Sequence, residues 1–148
     1  MELMPIHYHP ALGEVLWCDY KGMEPEMVKK RLSVVVVPKS VQRPRLTTVV
    51  PISATVPEFV RPWHVRLERD PYPKGSKPDL WVKCDMLNVM SFDRLDGYHY
   101  RWNGRRQYQK MQVSLDELRR VRAGVIEGLG LSTDLLRLED IENMLARP

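Results

Sequence analysis

Apolar residues in the first two thirds of the chain come in short runs punctuated by proline and glycine, whereas in the last third they recur at helical spacing. The run GEVLWCDY (13–20) predicts a first strand, apolar on both faces. LSVVVV (32–37) and LTTVVPI (46–52) predict the second and third, with PKSVQRPR turning between them. HVRLE (64–68) alternates, with Val65 and Leu67 inward and the charged residues outward. RDPYPKGSKPD (69–79) has the composition of a mobile loop, and LWVKCDML (80–87) reads as the next strand. Ser114 and Glu117 have the spacing of a capping box, and Leu115, Leu118, Val121, Val125 and Leu129 follow on one helical stripe. Gly128 and Gly130 end that helix, and a second, shorter one is predicted from about Asp134 to Ala146. Strands first and helices last predict a mainly β fold, a small and partly closed barrel with C-terminal helices. A single domain over 1–148 is expected, with its core at about 13–130 and a helical extension over 131–148.

Composition changes this picture little. The 148 residues include 43% hydrophobic and 28% charged, ordinary for a soluble domain with a real core. A net charge of +4 tilts the choice of partner toward polyanions. No stretch approaches the ~20 apolar residues of a membrane span, and MELMPIHYHP lacks the pattern of a secretory signal. Cys18 and Cys84 lie far apart inside apolar runs, which reads as two buried free thiols in a reducing, cytoplasmic setting.

The sharpest local signal is YHYRWNGRRQYQK (98–110). Asn-Gly between alternating runs predicts a type I′ hairpin turning at Asn103 and Gly104. That register pairs Trp102 with Arg105, Arg101 with Arg106, Tyr100 with Gln107 and His99 with Tyr108. One face carries Tyr98, Tyr100 and Trp102 beside Arg105 and Gln107. The other opposes Arg101 to Arg106, a destabilising pair unless an anion sits between them. Aromatics that stack bases, beside arginines that hold phosphate, suit single-stranded nucleic acid. The same pattern equally fits an aromatic face packed on the sheet with its arginines solvated.

Other candidates are poorer. His7 and His9 form an H-x-H pair with no third ligand at useful spacing, which favours a flexible N-terminal segment over a metal site. No Gly-rich phosphate loop occurs, and Ser53 lacks a G-x-S-x-G context. Cys84 lies mid-strand and reads as inert packing, and His64 reads as a surface residue.

In order and spacing, several segments together resemble the MazF/PemK family of toxin endoribonucleases, from about Gly13 to Leu129. GEVLWCDY is similar to the family's opening strand, KGMEP to its G-x-E loop, and KRLSVVVV to its arginine-bearing strand. TTVVPIS resembles the strand that ends in Ile-Thr, HVRL the H-V-x-[LI] strand, and VKCDMLNVMSFDRL the run that follows. The resemblance implies an SH3-like barrel, usually a homodimer, that cuts single-stranded RNA without metal or cofactor. It also implies a co-expressed antitoxin as partner. It places the catalytic arginine on Arg31 and the catalytic threonine on Ser53. The loop glutamate falls on Glu24 by motif or on Glu26 by distance from Arg31. A glutamine near RNA falls on Asp85 and a second arginine on Leu87, and Leu32 stands where the family usually has proline.

The chemistry agrees with those residue types. Metal-free RNA cleavage uses the substrate's 2′-OH against the adjacent phosphate and needs a stabiliser for the charge that grows there. A guanidinium fork matches two phosphate oxygens, which suits Arg31 to stabilisation. Guanidinium groups keep their proton to about pH 12.5, so arginine is a poor base. Ser53 would hold a phosphate oxygen, and Glu24 would orient Arg31 or the 2′-OH. Tyr100, Arg101, Trp102, Arg105, Arg106 and Asp85 are the candidate RNA contacts. Two other readings remain open: a non-catalytic inhibitor of a protein such as gyrase on the same fold, and an inactive RNA-binding module.

Overall fold

The run of valines at 34–37 sits at the centre of the molecule because the strand that begins it is buried on both faces. In this computed structural model, which describes residues 2–68, 71, 79–131 and 138–146, that strand is β2 (Lys30–Val35). Its neighbours are β1 (Val15–Asp19) and β3 (Leu46–Ser53), both antiparallel to it. Leu32, Val34 and Val36 face one apolar cluster with Val15, Val50, Ile52, Val82 and Val121. Val35 faces a second cluster with Leu16, Cys18, Tyr20, Met27, Val49 and Leu95. A strand with period-two side chains can serve two cores only if both sets are apolar, which is why its hydrophobic run is unbroken.

β3 is long and divides its edge. Its first half pairs with β6 (Asn88–Ser91) and its last two residues with β5 (Trp81–Lys83), which pairs in turn with β4 (His64–Arg66). On the other side, β1 pairs with β7 (Leu95–Gly97). The path β4-β5-β3-β2-β1-β7 is open among the described residues, with no pairing between β4 and β7. The fold is therefore mainly antiparallel β with C-terminal helices. A closed barrel is not seen in this sheet.

Several boundaries differ from the sequence expectation. The second strand lies at 30–35, not 32–37, because β1 pairs as far as Asp19 with Lys30. Arg31 thus stands inside the strand and not at its mouth. The predicted strand at 80–87 ends at Lys83, where a turn closes with Met86 N–H donating to the Lys83 carbonyl at 3.1 Å. A 3-10 turn at Phe92–Arg94, capped by Ser91, joins the short β6 and β7, neither of which the pattern announced. The loop at 69–79 falls largely outside the described residues.

The N-terminal segment is packed, not flexible. Ile6 is buried in the second cluster, Met4 N–H donates to Asp96 Oδ2 at 3.0 Å, and Tyr8 donates to Glu14 at 2.6 Å. His9 stacks edge-on to Phe92 and its Nε2 accepts from Ser40 N–H at 3.4 Å.

Helix α1 (Leu115–Gly128) starts at the capping box, with Ser114 Oγ accepting from Glu117 N–H at 3.1 Å and Glu117 Oε1 accepting from Ser114 N–H at 2.8 Å. It ends in a Schellman motif: Leu131 N–H donates to Ile126 O, Gly130 N–H to Glu127 O, and Gly130 has φ +70°. Gly124 and Gly128 lie against the turn at Cys84–Asp85, so close that a Cβ would sit 2.9 Å from Cys84 Sγ and 2.8 Å from Asp85 Cα. A second helix, α2, spans Leu138–Leu145, inside the predicted range, whose first part (residues 132–137) lies outside the described residues. Among the described residues no helix is long and apolar enough to cross a membrane.

Candidate active site

Arg31 lies on the face of β2 that carries Ser33 and Val35, toward the second cluster. Cys18 of β1 is its direct cross-strand partner, and Leu95 of β7 is that of Cys18. On the other side, β2 and β3 set Ser33 opposite Pro51 and Val34 opposite Val50. The ladder ends there, but the same register continued by two residues places Ser53 opposite Arg31. Ser53 is opposite Trp81 of β5, and Trp81 opposite Arg66 of β4. Directly opposed residues of antiparallel strands share a face. With the register so extended, Cys18, Arg31, Ser53, Trp81 and Arg66 fall in one transverse row, the last of them ion-paired to Asp79 at 2.7 Å.

Two N–H groups on this face stand without acceptors among the described residues. Arg31 Nε and Trp81 Nε1 are both closed off from water and have no hydrogen-bond partner among the described residues. Among the described residues no carboxylate pairs with Arg31. Ser53 is 2% exposed, and its Oγ accepts from Thr55 N–H at 3.1 Å, which leaves the hydroxyl hydrogen to donate elsewhere. Each buried unpartnered donor costs about 1–3 kcal/mol, so a pair of them is an acceptor site in waiting.

Behind Arg31 the sheet is polar but neutral. The Tyr20 hydroxyl and Ser33 Oγ are 2.6 Å apart, and both residues are buried. Burial holds the Tyr20 phenol well above its ordinary pKa and pushes the Cys18 thiol up to about 12. Cys84 is likewise pushed up to about 12, first by burial and then by Asp85. Both cysteines are buried free thiols, as their sequence context predicts, and neither is a thiolate nucleophile near neutral pH.

The loop between β1 and β2 carries the two candidate glutamates. Met27 and Tyr20 anchor it in the second cluster, and Gly22 is pinched against the Met27 carbonyl, only 2.3 Å from where a Cβ would stand. Glu26 is exposed and its carboxylate accepts from Met23 N–H at 3.0 Å. Glu24 is exposed, and neither residue forms an ion pair with Arg31. Of the two, Glu24 has its carboxylate available.

The hairpin forms as the sequence predicts. β8 (His99–Trp102) and β9 (Arg105–Tyr108) pair in the expected register, and Asn103 and Gly104 have φ of 51° and 74°. Its opposed arginines are not equivalent. Arg106 is held by buried Asp96 at 3.1 Å, and the same carboxylate oxygen accepts from Tyr108 Oη at 3.3 Å and from Met4 N–H. The anion that resolves the Arg101–Arg106 conflict is thus internal. Arg101 and Arg105 carry no ion pair among the described residues and are exposed, as is Trp102, while Tyr98 is buried in the first cluster and Tyr100 packs on it. Asp85 is exposed on the turn after β5, outside the transverse row, and Leu87 packs on the first cluster.

Arg31, Ser53 and Trp81 thus share one face, the glutamate loop is anchored in the cluster that Arg31 faces, and the hairpin is a separate two-stranded sheet. Trp81, Tyr20 and Ser33 escape a reading of the sequence because only strand register reveals their alignment with Arg31.

Residues 11–127 match the model of the PemK-like, MazF-like toxins of type II toxin–antitoxin systems. The chain belongs to this family. Among solved structures it is similar to the MazF toxin of Deinococcus radiodurans, with 21% identity and a TM-score of 0.60 over 84% of this chain and 99% of that one. It is also similar to an endoribonuclease from a mycobacterial species, at 17% identity and TM-score 0.57, covering 84% of this chain and 94% of that one. A mycobacterial endoribonuclease solved with its cognate antitoxin matches at 17% identity and TM-score 0.57, over 83% and 97% of the two chains. Among curated proteins no sequence match is found. In this PemK/MazF-like toxin Arg31, Ser53 and Trp81 lie on one face of the sheet.

Proposed function

We propose that this toxin is an endoribonuclease that cleaves single-stranded RNA by attack of the substrate's own 2′-OH. The observation that carries the reading is the pair of unpartnered donors, Arg31 Nε and Trp81 Nε1, on the strands that flank Ser53, with no carboxylate among the described residues to neutralise Arg31. A phosphodiester supplies the missing acceptors. Arg31 binds two of its oxygens and stabilises the charge that builds on phosphorus, and the Ser53 hydroxyl donates to a non-bridging oxygen. Glu24, on the loop between β1 and β2, takes the proton of the 2′-OH. The 2′-oxygen bonds to phosphorus, the bond to the 5′-oxygen breaks, and that oxygen takes a proton from solvent. The products are a 2′,3′-cyclic phosphate and a 5′-hydroxyl.

None of these steps uses a metal, and among the described residues no group of three His, Cys, Asp or Glu side chains is placed to hold one. The test is incubation of the purified protein with single-stranded RNA in EDTA, followed by mapping of 5′-hydroxyl ends. Cleavage is expected, and a substrate with 2′-deoxy at the scissile nucleotide should resist it. Cutting of that deoxy substrate would overturn the 2′-OH mechanism.

As a member of a toxin–antitoxin family, the protein is further proposed to act as a homodimer and to be neutralised by a cognate antitoxin. A mixed acidic and apolar segment, folding as it binds, would cover Arg31 and satisfy the same donors. Its affinity should fall as salt rises. A neutralising partner found on the opposite face of β2 would contradict this.

A further inference from the structure

We infer that Trp81 is a substrate-binding residue of the site, its indole N–H donating to an oxygen of the RNA strand next to the phosphate held by Arg31 and Ser53. This rests on the nuclease reading and extends it to a residue that neither the motifs nor the family resemblance singles out. Three observations lead to it.

Trp81 is cross-strand to Ser53, so the two side chains share a face. Its Nε1 is one of only two nitrogens among the described side chains, beside the ring nitrogen of His99, that share with Arg31 Nε the condition of being buried without a partner. The two N–H donors, Arg31 Nε and Trp81 Nε1, flank Ser53 on either side. Other indoles in the protein are treated differently: Trp17 Nε1 donates to the His99 carbonyl at 3.1 Å. A tryptophan needed only for its apolar bulk at the end of β5 could be phenylalanine, which fills similar space without an unsatisfied donor.

The chemical class of ligand follows from the donor. An indole N–H carries no charge and cannot accept, so its partner is an acceptor oxygen or ring nitrogen. Beside a phosphodiester those are a phosphate oxygen, a ribose oxygen or a base edge of the adjoining nucleotide. Trp81 and Arg31 are each half-buried as whole side chains, and each N–H turns outward to meet a ligand in this proposal. Neither has to give up a bound water when it does so, because both atoms are already closed off from solvent.

The test compares Trp81→Phe with the parent protein in three measurements: cleavage of single-stranded RNA, binding of a mixed-sequence single-stranded oligodeoxynucleotide, and thermal stability. The oligodeoxynucleotide keeps the phosphodiester and lacks the 2′-OH, so it reports binding without reaction. Trp81→Phe should bind it roughly tenfold more weakly and cleave RNA at least tenfold more slowly. The salt dependence of binding should not change, since no charge is lost, whereas Arg31→Ala should flatten it. Melting temperature should stay the same or rise, because a buried unpartnered donor has been removed. Parent-like binding and cleavage by Trp81→Phe would overturn the role of Trp81 while leaving the nuclease reading intact. Weak activity that merely tracks a lower melting temperature would overturn it in favour of packing. If the parent binds the oligodeoxynucleotide but does not cut RNA, the nuclease reading fails, and weaker binding by Trp81→Phe still supports the contact. A parent that neither binds nor cuts would sink both.

Discussion

The hairpin and the sheet row both combine arginine with aromatic residues, and they differ in what faces them. In the hairpin, Arg106 meets the buried carboxylate of Asp96, with Tyr108 and the N-terminal backbone sharing that oxygen. Across β2, β3 and β5, Arg31 and Trp81 hold buried N–H groups that meet no acceptor among the described residues. The hairpin is therefore the richer in charge and the more nearly satisfied. The sheet row leaves those two donors open. Density of positive charge marks where a polyanion is attracted, whereas unmet hydrogen bonds in a rigid frame mark where an atom is meant to bind.

Substitutions in the row should break the chemistry. Arg31→Lys keeps the charge but loses the two-point fork and should fall short of the parent's cleavage rate by on the order of 10²-fold or more. Ser53→Ala removes one donor to the reacting phosphate and should cost at most on the order of 10²-fold in single-turnover rate. Ser53→Thr restores the hydroxyl and should be close to neutral. Normal rates in Ser53→Ala would remove it from the row's chemistry.

Substitutions beside the hairpin should act first on stability. Asp96→Ala strips the acceptor from Arg106, Tyr108 and Met4 N–H at a position 2% exposed. A loss of about 3 kcal/mol in denaturant unfolding is expected, with cleavage per folded molecule nearly unchanged. Gly128→Ala drives a methyl group against the Asp85 backbone and should cost about 1–3 kcal/mol despite alanine's better helix propensity. An unchanged or raised stability in that variant would mean that α1 shifts freely on the β5 turn.

The smallest effect belongs to the exposed hairpin arginines. Arg101→Ala with Arg105→Ala should weaken RNA binding only several-fold and reduce the salt slope by about 0.7 for each phosphate that the two arginines neutralise. An unchanged slope would leave the hairpin as structure alone. Adding Arg106→Ala should mainly release Asp96, and so show in melting temperature before it shows in affinity.

What is legible in the sequence follows the same division. The hairpin register comes from Asn103-Gly104, and the start of α1 from Ser114 and Glu117, because both are decided within a few residues. The strands β1 to β5 are visible as apolar runs, though each has at least one displaced end, because pairing partners and not composition decide where a ladder stops. The three- and four-residue strands β6 and β7 are too short to show a period. The packed N-terminus rests on Ile6 and on one hydrogen bond to Asp96, a contact across most of the chain. Arg31 and Ser53 are reachable through family resemblance, but Trp81 depends on the β3–β5 register, which no local pattern encodes. Arg106 has the signature of a nucleic-acid contact until its internal partner is visible.

The most direct measurement is the single-turnover cleavage rate of Arg31→Ala on saturating single-stranded RNA, taken together with its melting temperature. Arg31 contributes no apolar side chain to either cluster, so the melting temperature should hold while the rate falls by more than about 10³-fold. Undiminished cleavage by a folded Arg31→Ala protein would contradict the account, because the row would then hold no catalytic charge.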